Sequence, residues 1–131
     1  MHTIRQHSAS AAFEVRDNIL IIHFSGPITA TSLNALRSEM LPYAVNVQVI
    51  VADYRGSTLV MSEDCMWRMI HCRHNDDMID LPTAIVGDSV QREMFGRIAL
   101  LAALRYRRRR LVTGDLARAT EWAHSALATS P

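Results

Sequence analysis

The chain of 131 residues contains no lysine, and all 14 of its basic residues are arginines. That absence excludes Schiff-base chemistry and the phosphate grip of a P-loop, both of which need an ε-amine. Cysteine is scarce: Cys65 and Cys72 are the only 2, too few for a disulfide framework. No apolar run approaches the roughly 18 residues that cross a bilayer. The opening MHTIRQHSASAA is polar and lacks the apolar stretch of a signal peptide. A cytoplasmic, reducing setting is therefore expected. Excess charge is also missing, since 14 basic residues face 13 acidic ones, and a net +1 creates no global field toward nucleic acid. With 49% hydrophobic and 21% charged residues the chain has the composition of a folded protein, at a length that suits one compact domain.

Residues 1–12 show no periodicity and are expected to form a flexible arm, with a single domain over 13–131. Alternation at Phe13 and Val15 and the β-branched run Ile19 to Ile22 predict two strands. Asp17-Asn18 makes the hairpin turn between them, because both residues tolerate positive φ. Gly26-Pro27 ends the second strand. Thr31 or Ser32 caps a helix carrying Leu33, Leu36, Met40 and Leu41, which Pro42 should stop.

The segment from Val45 to about Asp53 is apolar on both faces and reads as a central strand. Ser62, followed by Glu63 and Asp64, opens a second helix to about His74, with Cys65, Met66, Met69 and Ile70 inward. Leu81 to Gly87 is a short buried strand. Asp88-Ser89 caps a third helix through Val90, Met94, Phe95, Ile98 and Leu101. Arg110 to Val112 is a last strand, and Thr113-Gly114-Asp115 turns into a final helix with Leu116, Ala119, Ala123 and Leu127 on one stripe. The order ββαβαβαβα predicts an α/β fold: a five-stranded, mostly parallel sheet with an antiparallel edge strand.

In such a sheet, ligands sit beyond the carboxyl ends of the strands. Asp53, Asp88 and Asp115 fall at three of those ends, beside Gly87 and Gly114. With Arg107 from the basic run 105–110 they form a candidate site for a small ligand or lipid head group. Asp88 and Asp115 also stand where helix caps are needed, and no activated nucleophile accompanies the carboxylates. No catalytic residue and no cofactor is therefore assigned. Cys65, His71, Cys72 and His74 do not share one helical face and contain no CxxC or HxxxH pair, so no metal is assigned either. The arginine run with its interleaved Tyr106 suits a solvated sheet edge, an acidic partner or an anionic membrane face; nucleic acid is not expected.

Three segments resemble the STAS/SpoIIAA-like family of anti-sigma-factor antagonists. They are Ile21-Ile22-His23-Phe24-Ser25-Gly26-Pro27-Ile28-Thr29, Val49-Ile50-Val51-Ala52-Asp53-Tyr54-Arg55-Gly56-Ser57-Thr58, and the close from Leu111-Val112 through Asp115, Ala119 and Trp122. The resemblance spans about 13–127. It implies a SpoIIAA-like fold and a non-enzymatic, regulatory role exercised by binding a protein, with a homodimer as one form. It also implies a phosphoacceptor at Ser62. There the chain departs from the family, which places aspartate before the serine and a small residue and then glycine after it; Ser62 stands between Met61 and Glu63-Asp64. The partner surface expected from this likeness joins Ser57, Thr58 and Ser62 to Arg92 and Phe95 on the third helix.

Overall fold

A computed structural model describes residues 4–7, 11–66, 81–106 and 109–129. Six strands form one sheet in chain order: β1 (Ile4–His7), β2 (Ala11–Arg16), β3 (Ile19–Ile28), β4 (Val49–Leu59), β5 (Thr83–Val86) and β6 (Arg110–Thr113). The first two pairings are antiparallel and the remaining three are parallel. The helices are α1 (Ala30–Ala44), α2 (Ser89–Tyr106) and α3 (Leu116–Thr129). A helical turn over 63–66 marks the second helix expected from the sequence, whose remainder lies outside the described residues.

The α/β class and the mostly parallel sheet are as the sequence predicts. The N-terminal segment is not: where 1–12 reads as an arm, Ile4 to His7 pair with β2 and Ala11 is 3% exposed. The antiparallel strand at Phe13 is thus internal, and the edge passes to β1. Four short residues cannot reveal a period, so pairing with a neighbour decides the outcome. The β2–β3 turn forms as expected, with φ of 53° at Asp17 and 67° at Asn18. These left-handed angles match the twist of a two-residue hairpin.

Helix α1 starts two or three residues earlier than expected. Thr29 is the cap: its Oγ1 accepts the Ser32 N–H at 3.1 Å, while Ser32 Oγ accepts the Thr29 N–H at 2.8 Å. This reciprocal pair satisfies two helix-end donors at once. Pro42 lies inside the last turn and does not stop the helix at its own position. The following strand is displaced accordingly. Val45 is 61% exposed, and β4 runs from Val49 to Leu59.

The sheet is covered on both faces. One core packs Leu20, Ile22, Ile50 and Ala52 under Leu33, Leu36 and Met40 of α1 and Phe95 and Ile98 of α2. The other packs Ile19, Val49, Val51, Ala84 and Val86 against Ala119, Ala123 and Ala126 of α3. These alanines are at most 2% exposed, and their small side chains let α3 lie close on the strands. On α2, Val90 is 75% exposed, so it leaves the apolar stripe that the sequence gives it. No helix of the described residues is long and apolar enough to cross a membrane.

Candidate functional site

The parallel strands end at different levels, and this difference builds the site. Asp53 is in register with Val86 at the end of β5, so it marks the carboxyl edge of the sheet although β4 itself continues six residues further. Beyond that level β4 stays paired with β3 alone. The register shifts between His23 and Ser25, where β4 inserts an extra residue opposite Phe24. Such a bulge reverses which residues face which side. Before it, Tyr54 joins the core under α1 and α2; after it, Leu59 packs against that same core.

The bulge corrects part of the expected partner surface. Ser57 is 7% exposed, and its hydroxyl donates to the Tyr54 carbonyl at 2.7 Å. Phe95 is 3% exposed and lies 4.7 Å from the Tyr54 ring, which stacks on Phe24 at 4.2 Å. Both are interior residues of the chain, not surface ones. Thr58, Ser62 and Arg92 remain exposed. Ser62 caps the turn that follows it, its Oγ accepting the Cys65 N–H at 3.1 Å.

Gln91 ties α2 to the overhanging part of β4. Its amide donates to the carbonyls of Tyr54 and Ser57, both at 3.0 Å, and its Oε1 accepts the Asp88 N–H at 2.9 Å. Asp88 Oδ1 accepts the Gln91 N–H in return at 2.8 Å, closing a capping box. Gly87 makes this possible, since a Cβ there would fall 2.9 Å from Gln91 Cβ.

Beside this brace lies an open cleft of about 550 Å³. Arg55 from β4, Arg92 from α2 and Arg118 from α3 line it, with Asp88 and Asp115 at the two helix starts. Asp115 Oδ1 accepts the Ala117 N–H at 2.9 Å, so both aspartates act as caps. Asp53 stands behind Arg55. Its oxygens accept Arg55 Nε–H at 2.9 Å and Nη2–H at 3.0 Å, and Oδ2 lies 3.3 Å from His23 Nδ1. Burial pushes the Asp53 carboxyl up, but the Arg55 hydrogen bonds and charge, with His23 assisting, outweigh it and hold the group below the usual 3.8.

The ligand residues expected from the sequence are thus brought together in part. Asp88 and Asp115 line one cleft and Asp53 orients one of its arginines, while Arg107, with His71, Cys72 and His74, lies outside the described residues. The residues that sequence reasoning missed at this cleft are Arg55, Arg118 and Arg92, the last expected only at the partner surface. Their signal is local: each aspartate is followed by an arginine at a spacing that keeps the pair adjacent, two residues on in a strand and three or four on in a helix. Among the described residues, no group of His, Cys, Asp and Glu could hold a metal ion.

The architecture is one known from solved structures. The chain is similar to the anti-sigma factor antagonist SpoIIAA in its unphosphorylated form, with 10% identity and a TM-score of 0.51 over 98% of this chain and 100% of that one. It is similar as well to an uncharacterized protein of the DUF3478 family from Shewanella loihica PV-4, which has a SpoIIAA-like fold. There the identity is 14% and the TM-score 0.56, over 93% of this chain and 92% of that one. No family model and no curated protein sequence matches the chain. Its fold is SpoIIAA-like.

Proposed function

We propose that this is a non-enzymatic regulatory domain of the STAS type, which acts by binding another protein through the rim formed by residues 58–63 and the first turns of α2. The observation that carries the reading is a pair of exposed valines on that rim, Val60 at 54% and Val90 at 75%. The two segments are tied at both ends, by Gln91 to the Ser57 carbonyl and by Arg97 Nε to Glu63 Oε1 at 2.9 Å. Exposed apolar side chains on two segments held together, with Thr58, Ser62, Arg92 and Glu93 exposed on the same segments, suit a protein interface. The shared fold with an anti-sigma factor antagonist supports a regulatory partner.

Ser62 is the candidate phosphoacceptor on the same rim. It is exposed, and a phosphate there would add about two negative charges beside Glu63 and Asp64. Repulsion of that kind would loosen the capped turn and change the face offered to a partner.

The test is affinity capture from the host with the wild-type chain and with a Val60→Asp, Val90→Asp variant, both checked for folding by circular dichroism. Retention of a defined protein, or of a second copy of the chain, by the wild type alone supports the rim. Equal retention by both removes it. Intact mass of the chain purified from its host reports separately on phosphate at Ser62.

A further inference from the structure

The cleft at the carboxyl ends of β5 and β6 adjoins that rim at Arg92. Three guanidinium groups reach it from three different elements. Arg55 is already matched by the Asp53 fork. Arg92 makes a single long contact of 3.4 Å, from Nε to the Asp88 carbonyl, and among the described residues neither Arg92 nor Arg118 forms an ion pair.

Asp88 and Asp115 do not cancel those two charges in full. Each caps a helix whose amino end carries roughly half a positive charge. Setting two carboxylates against two helix ends and two unpaired guanidiniums leaves the cleft with a surplus of roughly one positive charge. Gly114 gives Arg92 room: a Cβ there would lie 3.0 Å from Nη1 of Arg92 and 3.2 Å from Cζ, so a side chain at 114 would push the guanidinium away from the β6–α3 turn. Oδ1 of each aspartate is taken by its cap, and Oδ2 remains as an acceptor for a hydroxyl group.

We propose that this cleft binds the phosphate monoester of a small polyhydroxy compound. The dianion would lie between Arg92 and Arg118, whose planar donors fit phosphate oxygens in pairs. The hydroxyls of the ligand would face Asp88 and Asp115. The cleft volume of about 550 Å³ suits a sugar-sized ester. The same chemistry is carried by a soluble sugar phosphate and by a phosphorylated inositol lipid head group.

Isothermal titration with glucose 6-phosphate, with glucose as control, tests the soluble source. Co-sedimentation with phosphatidylcholine vesicles, with and without phosphatidylinositol 4-phosphate, tests the lipid source. Each probe is applied to the wild type and to an Arg92→Gln, Arg118→Gln variant whose melting temperature is checked. Binding of either phosphorylated probe, absent for its unphosphorylated control and weakened about tenfold or more in the variant, supports the site. Amide shifts confined to Gly87 and Gly114 on titration would place the ligand. Binding of neither probe, or binding that the variant leaves unchanged, overturns the proposal. A Val60→Asp variant, which leaves every residue lining the cleft in place, should bind these probes like the wild type, so the two functional readings fail independently.

Discussion

Arg55 and Asp53 sit two residues apart on β4, and the guanidinium clasps both carboxylate oxygens from the same strand at 2.9 and 3.0 Å. The Arg55 backbone N–H adds a third bond to Oδ1 at 3.1 Å. The clasp fixes one arginine of the cleft at the point where the bulge begins.

Because the folded Asp53 carboxyl lies below its unfolded value, its contribution to stability is present above about pH 4 and is lost as the pH falls through the depressed value. Asp53→Asn should lower stability by ~1 kcal/mol near neutral pH, a modest figure because Arg55 is 44% exposed. The gap between variant and wild type should narrow on acidification. Urea denaturation of both chains at about pH 7 and pH 3 measures this; a gap of equal size at both would disprove the assignment.

Gln91 fills three roles with one side chain, so its replacement by alanine should cost about 2 kcal/mol through the unsatisfied Ser57 carbonyl and the lost cap. Gln91→Glu should cost at least as much, since it turns an acceptor toward two carbonyl oxygens. Thermal melts of the two variants check both statements.

Phe95→Ala removes a ring held against Tyr54 and should destabilise by about 3–5 kcal/mol, as cavities of this kind do. Any loss of partner binding in this variant should follow the fraction unfolded. Binding lost while the melting curve stays unchanged would contradict the interior placement of Phe95.

At the β2–β3 turn, Asn18 has a φ of 67°, a conformation that β-branched residues avoid. Asn18→Val should therefore cost ~1–2 kcal/mol, while Asn18→Gly should be close to neutral. Equal denaturation midpoints for these two variants would show that the turn does not hold the register.

Much of the fold was legible because local chemistry and tertiary context agree in it. Asp17-Asn18, the caps at Asp88 and Asp115 and the alanine stripe of the last helix each carry their own instruction within a few residues. Where context overrides local pattern, the reading failed. Val45 and Val47 continue the alternation of β4 in the sequence, yet the strand begins at Val49, with the Gln48 N–H instead donating to the Asn18 carbonyl. A bulge leaves no periodic trace beforehand, so Ser57 was assigned to the surface when it belongs inside. The cleft aspartates were legible from their place at the strand ends. The arginines that follow them carry a local signal as well, but only the assembled sheet shows that all three arginines line one cleft.

The helices on the two faces of the sheet bury side chains of opposite size against it: Leu, Met, Phe and Ile from α1 and α2, and Ala119, Ala123 and Ala126 from α3. Sequence drift is therefore constrained in opposite directions on the two sides. The first side tolerates exchange among large residues and suffers from truncation, while the second tolerates almost no growth, because one added methyl group at Ala119 or Ala123 would lift the helix from the strands. Since α3 follows the Asp115 cap and carries Arg118, any such lift would widen the cleft, so buried alanines set the aperture through which a ligand would enter.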